Sequence, residues 1–169
     1  MRIVFVDGYN VINCWPMLRN MKDSSFEGAR QKLIDILQNY ATYKEYRVII
    51  VFDGHLVKGS LEKKEELINI SVVYTKEGET ADSYIERSVN DIGRKLEVCV
   101  VTSDSLEQQV AFQRGAIRMS SNEFYFEVLD VEGRIKVRTE KRHSQKRNIL
   151  EDRIEKDVLE KLEKIRRNR

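Results

Sequence analysis

The sequence predicts an α/β fold built on a mainly parallel sheet, and three observations lead there. Ile3-Val4-Phe5-Val6, Arg47-Val48-Ile49-Ile50-Val51-Phe52 and Val98-Cys99-Val100-Val101-Thr102 are short apolar runs without solvent-facing alternation, the pattern of strands buried on both faces of a parallel sheet. Stretches with apolar residues at helical spacing separate them. Each run also ends in an acid: Asp7-Gly8, Asp53-Gly54 and Ser103-Asp104. Parallel strands therefore deliver three carboxylates to one edge, the carboxyl edge where ligands bind in open α/β sheets. Asp7 can instead serve only to cap a turn through its side chain, which is common for Asp after a strand.

The 169 residues suit a single domain with a substantial core, and 41% hydrophobic with 34% charged residues is ordinary for a globular protein. The formal charge of +2 argues neither for nor against a nucleic-acid partner. Cys14 and Cys99 share no metal-ligand spacing and read as structural. The first apolar run is broken by Asp7, so neither a secretory leader nor a membrane span is expected at the start, and a cytoplasmic location is.

In chain order, Val11 to Pro16 leads into a polar link, with Pro16 the only proline. Ser24-Ser25-Phe26-Glu27 has capping-box spacing and opens a helix to about Tyr43 whose Leu33, Ile34, Leu37, Tyr40 and Ala41 face the sheet. Arg30, in its first turns, is a substrate contact only if that end approaches the carboxylate edge, and otherwise reads as part of the solvated face, the favoured reading. The segment 55–64 carries His55, Lys58, Lys63 and Lys64. Charged loops are usually just solvated, but this one leaves the sheet beside the acids, which favours contact with a phosphate backbone. The unperturbed pKa of a histidine lies near neutrality, so His55 could be offered as a general base, but two-metal sites need none and it is read as an RNA contact. Ile68 to Tyr74 is a shorter strand. Thr80 then caps a helix to about Leu96, with Ile85, Val89 and Ile92 on one face and Asp82 and Glu86 on a neighbouring one. Asp in a first turn is also what the helix dipole prefers.

Leu106 to Phe112 fits a short helix closed by Gly115, and Ala116 to Met119 a final strand. Ser120-Ser121-Asn122-Glu123 repeats the capping box ahead of Phe124, Val128, Val131 and Ile135, although Gly133 and the alternation from Arg134 to Arg138 leave a β-hairpin as the alternative. From Arg134 to Arg147 seven Lys or Arg stand against the single Glu140. Lys141, Arg142, Lys146 and Arg147 are the candidates there for an RNA or ribosome contact. A last helix, about Asn148 to Arg166, carries Ile154, Val158, Leu162 and Ile165 as an apolar stripe. The expected division is a domain over 1–142 and a basic, helical extension of the same domain over 143–169, with the junction near His143 to Arg147.

Two like charges about 4 Å apart repel by roughly 4 kcal/mol at an effective dielectric of 20, so a fold that gathers carboxylates usually holds a cation. Oxygen donors without a His or Cys cluster favour Mg²⁺ or Mn²⁺ over zinc.

Taken together, Asp7-Gly8-Tyr9-Asn10, Phe52-Asp53-Gly54, Thr80-Ala81-Asp82 and Val101-Thr102-Ser103-Asp104 resemble the motif set of NYN domains, a branch of the PIN-like nucleases. The length, Trp15-Pro16, His55-Leu56-Val57-Lys58-Gly59 and the basic C-terminal part are similar more narrowly to the bacterial YacP-like group of ribosome-associated mRNA-decay endoribonucleases. The resemblance runs from residue 1 to about 140. It implies a Rossmann-like, three-layer α/β/α sandwich bearing a metal-dependent RNA-cleaving site. Asp7, Asp82 and Asp104 would then bind the metal, with Asp53 a further catalytic acid and Asn10 and Ser103 in support. The alternatives are an RNA- or ribosome-binding module with a degenerate site, and a phosphatase using a strand-end Asp nucleophile. Against the phosphatase, Tyr9 stands where a second Asp would be needed.

Overall fold

A computed structural model describes residues 1–54, 61–104, 109, 115–153 and 156–167, with the backbone alone for 147–153, 156, 157 and 159. By its internal contacts the chain divides into two units, Met1–Glu132 and Gly133–Arg169.

The first unit is a mixed α/β fold around one six-stranded sheet. Its strands are β1 (Arg2–Asp7), β2 (Arg47–Phe52), β3 (Lys63–Leu67), β4 (Ile70–Tyr74), β5 (Glu97–Val101) and β6 (Ile117–Met119), in the spatial order β3-β4-β2-β1-β5-β6. All neighbours are parallel except β3, which pairs antiparallel with β4. Alternation along β1 sends Ile3 and Phe5 to one face, where they meet Val51, Val73, Val98 and Val100 under Ile85 and Val89 of α4 (Ala81–Ile92). Val4 and Val6 face the other way and are equally buried, because α1 (Gly8–Cys14), α2 (Pro16–Ser24) and α3 (Phe26–Lys44) follow β1. Burial on both sides explains why β1, β2 and β5 are unbroken apolar runs.

Several expectations change in detail. The polar link expected beyond Pro16 is helical: Asp7 caps α1 by accepting from the Asn10 N–H at 3.1 Å, and Pro16 then opens α2 at a position that needs no N–H. Trp15, between the two helices, is buried and donates its indole N–H to the Ser121 carbonyl at 2.9 Å. The cap of α3 is Ser25, not Ser24, with its hydroxyl accepting from the Gly28 N–H. Gly8 opens α1, and a Cβ there would come within 2.3 Å of the Phe52 ring. Lys63 and Lys64 lie on the edge strand β3, not in a loop.

The capping box at Ser120 is complete: its N–H donates to Glu123 at 2.7 Å and its hydroxyl accepts from the Glu123 N–H at 3.2 Å. The helix it opens, α5 (Ser121–Arg153), runs through 134–138, so the hairpin alternative is excluded. Residues 143–147 lie inside this helix. In the second unit, α6 (Lys156–Arg167) follows, with Val158, Leu162 and Ile165 exposed. The short helix expected around Leu106 to Phe112 lies outside the described residues, apart from residue 109. No helix among the described residues is long and apolar enough to cross a membrane.

Candidate active site

From β1 the chain crosses one face of the sheet through α3 to β2, while from β4 it crosses the other face through α4 to β5. The connections therefore part on either side of β1, a switch point at which the carboxyl edge opens a crevice. Asp7 ends β1, Asp53 follows β2, Asp104 follows β5, and Asp82 sits in the first turn of α4.

These four acids sense one another. Asp7 is partly buried, and its carboxyl is pushed up to about 6, first by burial and then by the charges of Asp82 and Asp53; the Asn10 N–H pulls the other way. Asp82 is exposed at the head of α4 but is also raised, first by the protein crowding its carboxyl, then by Asp104. Its own backbone N–H opposes this, and Asp53 adds to it. Desolvation and like charges both favour the neutral form, which is why backbone donors do not bring these groups down. Among the described residues, however, no three His, Cys, Asp or Glu side chains are grouped closely enough to hold a metal ion. The donor chemistry suits a hard divalent cation, and the mutual repulsion is what such a cation relieves. The described arrangement is not a closed cage.

Two braces position the acids. Asn10 Oδ1 accepts from the Ser103 N–H at 3.0 Å and from the Ser121 hydroxyl at 2.6 Å, and the Ser103 hydroxyl accepts from the Ser121 N–H at 3.3 Å. The start of α5 is thereby tied to the loop carrying Asp104, whose own N–H donates to Thr102 Oγ1 at 3.1 Å. Asn10 and Ser103 act here on the backbone that carries an acid, not on a carboxylate directly. The second brace is Thr75, fully buried: its hydroxyl accepts from the Gly54 N–H at 2.9 Å and donates to the Glu79 carbonyl at 2.6 Å. It joins the Asp53 corner to the segment leading into α4 and Asp82. A polar residue just after an apolar strand, as Thr75 is, was the available signal.

Of the basic candidates, Lys63 pairs with Glu65 at 2.7 Å and lies 5.8 Å over the Tyr74 ring, on the same side as Asp53. Lys64 points to the other face of β3, where it pairs with Glu66 at 2.8 Å, and Glu66 also holds Arg47. His55 and Lys58 lie outside the described residues. Lys141, Arg142 and Lys146 are exposed on α5, in the second unit, and Arg147 is helical there. Arg30, expected on a solvated face, instead donates to the Tyr9 hydroxyl at 3.2 Å and is half-buried at the site's flank. Its position in the first turns of α3 gave no sign of this, because Tyr9 lies on another helix.

The sequence matches the model of the YacP-like NYN domain over residues 4–167. It is 44% identical over 170 residues to YacP of Bacillus subtilis (strain 168), covering 99% of this chain and 98% of that protein. The crystal structure of Rae1 (YacP) from Bacillus subtilis superposes with a TM-score of 0.76 at 43% identity, over 99% of this chain and 95% of the other. That of a mutant of the same protein, with leucine in place of one tryptophan, gives 0.74 at 40%, over 85% of each chain. The four acids at the switch point thus stand on a shared fold, and this chain belongs to the YacP-like NYN domain family, which implies a nuclease-type, RNA-related function.

Proposed function

We propose that the protein is a divalent-metal-dependent endoribonuclease of the cytoplasm that cleaves mRNA in association with the ribosome. The observation that carries this reading is the placement of Asp7, Asp53, Asp82 and Asp104 at the carboxyl edge of a parallel sheet, where Asp82 and Asp53 raise Asp7, and Asp104 and Asp53 raise Asp82. Asp7, Asp82 and Asp104 would hold Mg²⁺ or Mn²⁺, with Asp53 a further acid beside them. When bound, such an ion supplies activation of water and stabilisation of the charge developing on the scissile phosphate. The protein's own contribution is placement. Asn10 and Ser121 hold the Asp104 loop, Thr75 holds the Asp53 corner, and the Asn10 N–H orients Asp7. The basic run Arg134–Arg147 would track the polyanion, with Lys141, Arg142, Lys146 and Arg147 as its contacts.

One observation favours a second reading, a module that binds RNA or ribosomes without cutting: no three ligating side chains converge among the described residues. Cleavage of single-stranded RNA and of ribosome-bound mRNA, with Mn²⁺, with Mg²⁺ and with chelator, separates the two. The endoribonuclease reading expects metal-dependent cutting by the wild type and none by Asp104→Asn. Binding without cutting under every condition supports the second, and cutting that persists in chelator refutes the metal.

A further inference from the structure

A cleft of about 400 Å³ opens between α3 and the β2, β3 and β4 end of the sheet, with Tyr9, Arg30, Gln31, Asp53, Lys63 and Tyr74 among its walls. Its size falls within the range of about 300–1,000 Å³ typical of small-molecule sites. The floor is aromatic and fixed. Tyr74 stacks on the buried Phe52 with ring centroids 5.5 Å apart and planes 24° from parallel, and Tyr9 meets Phe52 edge-on at 5.2 Å. The Arg30 guanidinium stands 5.9 Å over the Tyr74 ring, held by its hydrogen bond to the Tyr9 hydroxyl.

The charges decide which ligand such a cleft takes. Arg30 has Glu27 at 3.9 Å and Lys63 has Glu65 at 2.7 Å, and Asp53 adds a further acid. Among the described residues, two cations against three acids leave the cleft no excess of positive charge to select a phosphate. A flat, uncharged group with hydrogen-bonding edges suits the cleft better: tyrosine and guanidinium planes are the surfaces on which nucleobases stack, and Gln31, whose amide N–H donates to Asp35 at 2.9 Å, keeps its carbonyl for a base edge. Asp53 is also the link to the chemistry, since the same carboxylate acts on Asp7 and Asp82. Tyr9 stands two residues beyond Asp7, so the cleft and the acid centre share the β1–α1 corner.

We propose that this cleft receives one unstacked nucleobase of the RNA, stacked against Tyr74 and Arg30, and so selects the nucleotide whose backbone lies at the acid centre. The inference deepens the reading of the acid centre as an RNA-cleaving site and rests on it. Arg30 and Tyr74 are thereby specificity residues that touch the substrate.

The test has two arms on the full chain. In the first, adenosine, cytidine, guanosine and uridine, which carry no phosphate, are titrated while the NMR signals of the Arg30 Nε–H and the Gly54 N–H are followed. At least one nucleoside should shift both signals, and Arg30→Met or Tyr74→Leu should weaken that binding about tenfold. In the second, a single abasic residue is walked along an RNA that the wild type cleaves. One position should lower kcat/KM about tenfold, and in Tyr74→Leu the same abasic residue should have no further effect, which a merely structural Tyr74 would not produce. Unmoved cleft signals up to the solubility of all four nucleosides, or a flat abasic scan on an RNA that is still cut, overturn the inference and leave the nuclease reading standing. Nucleosides filling the cleft of a protein that cuts no RNA support the cleft as a base site and remove the nuclease reading.

Discussion

At the residue scale, Asp7 carries two duties that the sequence presented as alternatives. It caps α1 and it belongs to the acid cluster. Asparagine caps a helix about as well as aspartate, so Asp7→Asn separates the duties, and it should abolish RNA cleavage while keeping the fold. The sign of its effect on stability follows from the carboxyl's shift from 3.8 to about 6. A raised folded-state value means that the native protein binds more protons than the unfolded chain across that window. Stability is therefore fully retained below about pH 4 and falls as pH rises through about 6. At about 1.4 kcal/mol per pKa unit, the charge costs at most about 3 kcal/mol at neutral pH. Denaturant unfolding of the metal-free protein should show Asp7→Asn as stable as the wild type at pH 4 and more stable at pH 7. A large loss at both values would contradict this account of the charge, because the asparagine keeps the cap. Asn10 is a contrasting case. Asn10→Ala leaves the buried Ser121 hydroxyl and the Ser103 N–H without their acceptor, and unfolding should register a loss of about 1–3 kcal/mol.

At the element scale, legibility tracks burial. The runs of β1, β2 and β5 are apolar because helices cover both faces of the sheet, and that pattern survives in the sequence without any partner. The edge strand β3, Lys-Lys-Glu-Glu-Leu, is hidden because its charges pair on both faces, Lys63 with Glu65 and Lys64 with Glu66, so no apolar period marks it. Helices α1 and α2 are too short for a repeat, and only Asp7, which caps α1, and Pro16, the first residue of α2, mark them. The acids are legible because each ends a strand or opens a capped helix. Arg30 is not, because its partner is set by tertiary packing, and Thr75 is marked only by its place after an apolar strand, which does not name its partners. The glycine at position 8 is required by contact. Its close approach to Phe52 predicts that Gly8→Ala destabilises the fold by about 1–3 kcal/mol or more through overpacking, and that adding Phe52→Leu recovers part of the loss. A thermal melt of the single and double variants checks this, and an additive double mutant would contradict it.

At the scale of the whole molecule, net charge conceals a division of labour. The acids lie in the Met1–Glu132 unit, and the basic run Arg134–Arg147 lies in the Gly133–Arg169 unit. For single-stranded RNA, log affinity should fall with log salt by about 0.7 per phosphate neutralised. Replacing Lys141, Arg142, Lys146 and Arg147 with Gln should flatten that slope and weaken binding whatever the RNA sequence, without altering metal binding at the acids. Unchanged affinity and slope would make the run a solvated face. The claim on which the rest depends is that the four acids form a cation centre, and a crystal of the wild type soaked in Mn²⁺ tests it most directly. Anomalous density among Asp7, Asp82 and Asp104 is the predicted result, lost in Asp7→Asn. Soaked crystals with no density there, from protein that still cleaves RNA, would contradict it.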